Sequence, residues 1–349
     1  MKPARKSWSG ASYPLECTKC GGLSRAAAAP PGTEAAATPV TPHATIGFSG
    51  IRVLDGGLAT ELERRGCDIS GPLWSAHVLD DSPQTLANVH LDYLRAGADC
   101  IATASYQVSS LGYHELGRDS SAAAQALRQS VAIAAQARAA YASENPRRVW
   151  IAASLGPYGA ALHNGAEYHG RYDLGFDQLI AFHAERLAPL AETDGDCIAF
   201  ETIPSLDEAR AILHALEQHP SLSAWISFTC RDAATVAHGE PLRHCAAAVA
   251  ESPQTLAIGI NCTAPPFVTK LIAEAQVGSA GRKPIIVYPN SGEAWNAQTR
   301  TWQGHADTSG FAALAREWFD AGAQAVGGCC RTGPAHIRAI AAAAQNSVI

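Results

Sequence analysis

The stretch AQAVGGCCRTGP, residues 323–334, decides how the rest of the chain is interpreted. A short apolar run ends in two glycines, and two adjacent cysteines follow, Cys329 and Cys330. Successive side chains on a strand point to opposite faces, so both thiols reach one point only where the strand has ended and the chain turns. We expect Gly327 and Gly328 to permit that turn. The pattern therefore places two thiols at the carboxyl end of a strand.

Seven comparable runs precede this one. Each is nearly continuous in apolar residues, which is typical of parallel strands that are buried on both faces. The eight predicted strands are IRVLDGG (51–57), DCIATAS (99–105), VWIAASLG (149–156), DCIAFET (196–202), AWISFTC (224–230), LAIGINC (256–262), IIVYPN (285–290) and AQAVGGCC (323–330).

Helical patterns lie between these strands. One helix is predicted to begin with Ser82 as its cap and Pro83 at its first position, and to close at Gly97. Another begins at Ser205, and Glu208 three residues later predicts a capping box. Further helical patterns cover residues 120–142, 308–323 and 333–345.

The alternation of strands and helices predicts an α/β fold. Eight β–α units with right-handed crossovers indicate a single closed (β/α)8 barrel of the TIM type. A doubly wound open sheet is the alternative. It is less favoured because no G-x-G-x-x-G pattern follows the first strand and because eight near-equal units suit closure.

Composition excludes several classes of partner. The 349 residues are 47% hydrophobic and 17% charged with a net charge of −6, which argues against binding to nucleic acid or to an anionic membrane surface. No apolar run reaches 18 residues, so no transmembrane helix is expected. The start of the chain lacks the apolar segment of a secretory signal. We expect a cytoplasmic protein with reduced cysteines, as a monomer or small homo-oligomer.

Two segments are predicted. Residues 1–48 are rich in Ala, Pro and Thr without periodicity, which indicates a disordered or low-complexity extension, with a transit peptide as the alternative. Cys17 and Cys20 in this segment resemble half of a zinc knuckle, but a second pair at suitable spacing is missing. Residues 49–349 are predicted to form the catalytic barrel.

The predicted strand ends gather polar and sulfur groups at one rim of the barrel. Cys262 ends the sixth strand, and Cys329 and Cys330 end the eighth, so the three thiols are expected to meet, because even-numbered strands share a layer. Three thiolates favour zinc and leave its fourth position open for a substrate. The alternative is three unrelated core cysteines. Cys230 is a less favoured fourth ligand because its strand has the other parity.

The other cysteines in apolar contexts are expected to be small buried residues. They are Cys100, Cys197 and Cys245.

Several motifs together resemble the homocysteine S-methyltransferase family, over about residues 49–345. The motifs are LDGGLATELERRGCD, LWSAHVL, HLDYLRAGADCIATASYQ, GPYGA, ETIPS, GINC, IVYPNSGEAW and GGCCRTGP. The likeness is strongest to the branch that uses S-methylmethionine or S-adenosylmethionine as methyl donor. GINC combined with GGCC is the most specific part of it.

The resemblance implies one zinc ion per chain, held by the three rim cysteines. It also implies that the amino group of L-homocysteine meets Asp55 and Glu201, although acids at strand ends also cap helices or pair with loop arginines. Asn261, beside a thiol ligand, is a further candidate for the substrate site. It either orients the thiolates or caps the following turn.

Aromatic residues near the rim have two interpretations. They either face a cationic methyl donor through their rings or serve as packing. These residues are Tyr106, Tyr158, Trp74 and Trp295. His77 and His163 form no metal-binding pattern and are not expected to be ligands.

The predicted reaction is methyl transfer from a small sulfonium donor to homocysteine, forming methionine. A betaine-type donor, or selenocysteine or another thiol as acceptor, is the alternative on the same barrel. A non-catalytic zinc-thiolate protein is the alternative from a different class. A hydrolase is less favoured, because thiolates weaken zinc as a Lewis acid for activating water.

Overall fold

The computed structural model describes residues 48, 50–69, 77–296, 301–303 and 308–346. Seven parallel strands form one curled sheet and follow one another in chain order. They are β1 (Cys100–Ala102), β2 (Trp150–Leu155), β3 (Cys197–Ile203), β4 (Ala224–Phe228), β5 (Thr255–Asn261), β6 (Ile285–Tyr288) and β9 (Ala323–Val326). A separate antiparallel hairpin consists of β7 (Ala294–Asn296) and β8 (Thr301–Gln303). The parallel α/β sheet is therefore confirmed.

The first predicted strand, 51–57, is present only as two bridging residues. Val53 bridges Val326 of β9, and Leu54 bridges Cys100 of β1, both in parallel. The strand is short because the Asp99 carboxylate, not a neighbouring strand, accepts the main-chain N–H groups of Arg52 and Val53. These bridges connect the two edges of the seven-stranded sheet.

Helices follow the strands as the periodicity predicts. The described helices are α1 (Leu58–Arg64), α2 (Val78–Asp81), α3 (Pro83–Arg95), α4 (Ser110–Glu115), α5 (Ser120–Glu144), α6 (Tyr158–Ala161), α7 (Phe176–Leu190), α8 (Leu206–Glu217), α9 (Leu242–Ala250), α10 (Pro265–Ser279), α11 (Thr308–Asp320) and α12 (Pro334–Asn346). Among them, none is both long and apolar enough to cross a membrane.

The two predicted helix starts are only partly correct. Pro83 is the first residue of α3, but the side chain of Ser82 makes no capping hydrogen bond. Ser205 does cap α8, because its hydroxyl accepts the N–H of Glu208 at 3.2 Å. The Glu208 carboxylate is used elsewhere: it accepts the N–H of Tyr158, so the capping box is half formed.

Two apolar clusters hold the sheet in place. The larger lies between the sheet and the helices, and the smaller lies on the other face of the strands, where Trp225 fills the space left by alanines. Phe48 packs edge-on against Trp225 with 5.9 Å between ring centroids, and it is 6% exposed. The predicted extension 1–48 therefore ends in a packed residue, while residues 1–47 lie outside the described part.

Candidate metal and substrate site

Three thiols meet at the carboxyl end of the sheet. The Sγ atom of Cys330 lies 3.7 Å from that of Cys262 and 3.9 Å from that of Cys329. All three sulfur atoms lie within 4.8 Å of one another. Tetrahedral zinc with Zn–S bonds of about 2.3 Å requires S–S separations of about 3.8 Å. Two of the three separations match that value and the third is at most 4.8 Å, so the cluster is able to hold a metal.

The glycines before the cysteine pair have a role other than the predicted one. Neither Gly327 nor Gly328 has a positive φ, so the turn itself does not require them. A Cβ on Gly327 would lie 2.6 Å from the Cβ of Leu54, and one on Gly328 would lie 2.3 Å from Oγ1 of Thr332. Gly327 thus allows close packing of the β9 end against the first strand segment, and Gly328 allows close packing against Thr332 in the turn that follows.

One of the three clustered cysteines, Cys262, has a left-handed backbone conformation. Cys262 has φ 49°, directly after β5, and such a conformation is costly for a residue with a side chain. This conformation turns the chain at the end of β5. At the end of β9, Cys329 is held by a hydrogen bond of 2.8 Å from its N–H to the carbonyl of Pro289. Strain of this kind is concentrated at functional sites.

Negative charge in the thiol cluster is concentrated on Cys262. Hydrogen bonds from the Cys329 and Cys330 thiols lower the pKa of Cys262 well below its usual range, although burial opposes this. The same bonds to Cys262 raise the pKa of Cys329 and of Cys330. The hydroxyl of Tyr168, 3.4 Å from the sulfur of Cys262, and the side chain of Asn290 further stabilise this thiolate.

Two carboxylates lie near the thiols. Asp55 is 8% exposed, and its Oδ2 accepts the N–H of Ala102 at 2.8 Å. Glu201 on β3 accepts the hydroxyl of Ser154 at 2.5 Å and that of Tyr288. Burial raises the pKa of Asp55 well above its usual range, and burial raises that of Glu201 to about 7. Among the described residues, neither acid has an ion pair with a basic side chain.

Asn261 supports the strand that carries Glu201. Its Oδ1 accepts the N–H of Thr202 at 2.8 Å, and its Nδ2 donates to the Thr202 hydroxyl at 2.9 Å. Thr202 has φ 61° and lies at an irregularity in the pairing of β3 with β4. The amide of Asn261 is thus engaged with its neighbouring strand and fixes the backbone beside Glu201.

The aromatic residues predicted near the rim differ in whether they lie close to the thiol cluster. Tyr106 lies near the thiols, since the charges of Cys262 and Cys329 contribute to raising the pKa of its hydroxyl, after the larger effect of burial. Tyr158 packs edge-on against Tyr172 and Phe182, so its ring serves as packing. Trp74 and the side chain of Trp295 lie outside the described part.

The remaining sulfur and imidazole groups do not join the thiol cluster. Within the described residues, the only group of cysteines, histidines and acids spaced to hold a metal is that of Cys262, Cys329 and Cys330, so Cys230 is not a fourth ligand. His77 forms a surface ion pair with Asp81. Cys100, Cys197 and Cys245 are buried as predicted, and Cys17 and Cys20 lie outside the described part.

Sequence analysis missed Glu167 and Tyr168. They form part of a short 3-10 helix, Ala166–Tyr168, in the loop after β2, which brings the Tyr168 hydroxyl to Cys262. An acid next to an aromatic residue between Gly165 and Gly170, in a strand-to-helix loop of the rim, was the available signal.

A curled parallel sheet with its polar groups at the carboxyl ends of the strands is the architecture of an α/β enzyme. Residues 52–344 match the family model described as homocysteine S-methyltransferase. The chain is 45% identical over 299 residues to the homocysteine S-methyltransferase YbgG of Bacillus subtilis, covering 84% of this chain and 94% of that protein. It is 41% identical to a selenocysteine Se-methyltransferase of Brassica oleracea var. italica, over 83% of this chain and 88% of the relative.

The fold comparison agrees. A crystal structure of the homocysteine methyltransferase MmuM from Escherichia coli, in its metallated form, superposes with a TM-score of 0.75 at 40% identity, covering 84% of this chain and 96% of that one. The chain belongs to the homocysteine S-methyltransferase family, and it is a methyltransferase.

Proposed function

We propose that this protein transfers a methyl group from S-methylmethionine or S-adenosylmethionine to the thiol of L-homocysteine, forming methionine, with one zinc ion held by Cys262, Cys329 and Cys330. The observation that carries the proposal is the three-thiol cluster at zinc spacing beside two buried acids that lack a basic partner. The relative whose crystal structure is the metallated form supports the metal.

Homocysteine matches both halves of the site. Its ammonium group suits Asp55 and Glu201, because unpaired buried carboxylates are stabilised by a cation. Its sulfur, three bonds from the carbon that carries the ammonium group, suits the metal position that three protein ligands leave open. Asn261 acts in this proposal as a positioning residue, since it fixes Thr202 and with it the backbone of Glu201.

The chemistry requires a deprotonated acceptor sulfur. Zinc, when bound, supplies a centre that keeps the acceptor thiol in its thiolate form at neutral pH. The acceptor sulfur then forms a bond to the methyl carbon while the bond from that carbon to the donor sulfonium breaks, and its electron pair remains on the donor sulfur. The protein holds the two sulfur atoms in line, which replaces a collision in water with a positioned reaction.

The architecture proposed for this site is a single closed (β/α)8 barrel over residues 49–349. The bridges of Val53 and Leu54 to opposite edges of the sheet support closure. We also propose that the protein acts in the cytoplasm, as a monomer or a small homo-oligomer.

The test is an assay of purified, zinc-loaded protein with L-homocysteine and one donor at a time: S-methylmethionine, S-adenosylmethionine or betaine. We expect methionine from a sulfonium donor, loss of turnover on chelation, and recovery with added zinc. Methionine from betaine alone would overturn the donor assignment. One bound zinc without turnover from any donor would identify a zinc-thiolate protein instead.

Selenocysteine as acceptor is a second candidate, favoured by the relative named selenocysteine Se-methyltransferase. A parallel assay with L-selenocysteine and S-methylmethionine decides between the two acceptors. A kcat/KM for selenocysteine well above that for homocysteine would make the selenium compound the preferred substrate.

A further inference from the structure

Glu167 is a third buried carboxylate beside the thiol cluster. It is 5% exposed, and its Oε2 atom is covered by protein and has no hydrogen-bond partner among the described residues. Its position is fixed, because a Cβ on Gly159 would lie 2.4 Å from the main-chain nitrogen of Glu167. The carboxylate accepts its own main-chain N–H, but a buried charge with one unpaired oxygen and no positive partner is costly unless a ligand compensates for it.

The neighbouring residue locates this acid relative to the metal ligands. The hydroxyl of Tyr168 lies 3.4 Å from the sulfur of Cys262. The charges of Glu167 and Cys262 are close enough to interact: burial raises the pKa of Glu167 to about 7, and the charge on Cys262 adds to the rise. Glu167 thus lies at the end of the site where the sulfur chemistry takes place.

The proposed function assigns no positively charged partner to Glu167. Homocysteine brings one ammonium group, which the proposed function assigns to Asp55 and Glu201. Arg331, a basic residue next to the thiol ligand Cys330, is occupied, because it pairs with Glu293 at 2.9 Å and with Glu63 at 3.8 Å. S-methylmethionine and S-adenosylmethionine each bring two positive charges, an ammonium group and the sulfonium. Of these two, the sulfonium must lie next to the acceptor sulfur, because the methyl group passes directly between them.

We propose that Glu167 is the counter-charge for the sulfonium of the methyl donor. This inference rests on the proposed function. Since Oε2 is covered, the carboxylate acts through its charge, which a buried position of low dielectric screens less than water would. It thereby selects a positively charged donor over the neutral sulfide that remains after transfer, which favours release of the product.

The charge change during transfer predicts which kinetic constant responds. A sulfonium and a thiolate become two neutral sulfides, so the positive charge that Glu167 stabilises decreases as the transition state forms. An interaction stronger in the ground state than in the transition state contributes to binding and not to kcat. Loss of the carboxylate should therefore raise the KM for the donor and leave kcat unchanged or higher.

The experiment compares Glu167→Gln with Asp173→Asn in the full-length, zinc-loaded protein. Asp173 is an exposed acid in the same loop, so its substitution makes the same change in net charge. Calorimetry measures the affinities for S-methylmethionine and for methionine, which differ by the methyl group and its charge. Donor KM, kcat, homocysteine affinity and zinc content are measured on the same samples.

For Glu167→Gln we expect the affinity for S-methylmethionine to fall by roughly 10- to 100-fold, the range for one lost charged interaction. Methionine and homocysteine should bind within about threefold of the parent protein, by the same conversion, and Asp173→Asn should behave as the parent. Equal losses for S-methylmethionine and methionine would overturn the inference, as would no change for either.

Two further results keep the inference separate from folding and from the proposed function. If Glu167→Gln does not fold, Glu167→Asp keeps the charge and should retain the preference for S-methylmethionine over methionine; loss of that preference would overturn the assignment. Absence of methyl transfer by the parent protein is a failure of the proposed function. An unchanged sulfonium preference in an active variant is a failure of this inference alone.

Discussion

Two groups of buried charges lie near the carboxyl ends of the strands, and they are built in different ways. In the first group, Glu208 is fully buried, and its carboxylate accepts the N–H of Tyr158 at 2.6 Å and contacts His183 at 3.1 Å. It also accepts the hydroxyl of Tyr172. Arg186, 2% exposed, contacts His183 at 2.8 Å and donates to the carbonyl of Gly156 at 3.0 Å. Each charge there has protein partners.

In the second group, the acids near the thiol cluster lack a positive partner among the described residues. Asp55, Glu201 and Glu167 form no ion pairs among the described residues, and burial raises the pKa of each. The difference agrees with the proposed function, in which the first group is structural and the second binds substrates. Buried charges that stabilise a fold are matched within the protein, whereas charges that bind substrate are matched only when the substrate arrives.

The largest effect is expected from removing a thiol ligand. Cys330→Ala should lose more than about 100-fold in zinc affinity, since even outer-sphere changes cost 10- to 100-fold, and turnover should be lost with the metal. Cys262→Ala and Cys329→Ala should behave alike. Metal analysis and the methionine assay measure both effects. Cys17→Ala and Cys20→Ala are the controls and should keep zinc and turnover; full zinc in Cys330→Ala would exclude the cluster as the metal site.

Substitution of Glu208, in the group of matched charges, should lower the free energy of unfolding and leave substrate binding unchanged. Glu208→Gln weakens the charged hydrogen bonds that the buried carboxylate accepts from Tyr158 and Tyr172, and the loss of a charged hydrogen bond costs about 1.5 to 3 kcal/mol. Urea unfolding at equal zinc content measures the loss. Homocysteine affinity, measured below the unfolding transition, should stay within about threefold. A variant with unchanged stability and weakened homocysteine binding would show that the two regions are not distinct in function.

Glu201→Gln should give the opposite pattern. Homocysteine binding is expected to weaken by roughly 10- to 150-fold, which corresponds to losing a charged hydrogen bond of about 1.5 to 3 kcal/mol. Zinc content should not change, because Glu201 is not a ligand. Titration with homocysteine, with melting curves alongside, separates the outcomes. Unchanged affinity combined with a lower melting temperature would assign Glu201 to the structural class.

The pH dependence of stability tests the same residue without a ligand. The pKa of Glu201 is about 7 in the folded protein against an ordinary value of 4.5, so the folded state binds the proton more tightly. The contribution of Glu201 to the free energy of unfolding is fully present below pH 4.5 and is lost as pH rises through 7. The loss is at most about 3 kcal/mol, less what solvent screens at its exposed edge. Glu201→Gln should remove this part of the pH dependence, and saturating homocysteine should reduce it in the parent protein.

The sequence predicted the strand ends well because buried parallel strands leave continuous apolar runs, and the polar residues after them lie at one edge by topology. Cys262, Cys329 and Cys330 meet for that reason. Glu167 was not predictable in the same way, because its place depends on how a loop folds back over the sheet. Gly327 and Gly328 were predicted for the wrong reason, since close packing against Leu54 and Thr332 leaves no periodic signal.

The smallest effect is expected from deleting residues 1–45, whose composition lacks the apolar periodicity of a packed segment. The truncated protein should keep its turnover and should melt within about two degrees of the parent, which for a folded part of this size is an effect of about 1 kcal/mol or less. Phe48→Ala is the matched comparison, because Phe48 packs on Trp225 just beyond the deletion, and losing a buried phenylalanine costs about 3 to 5 kcal/mol. If the deletion lowers the melting temperature as much as Phe48→Ala does, residues 1–45 dock on the folded part of the chain and the predicted boundary is wrong.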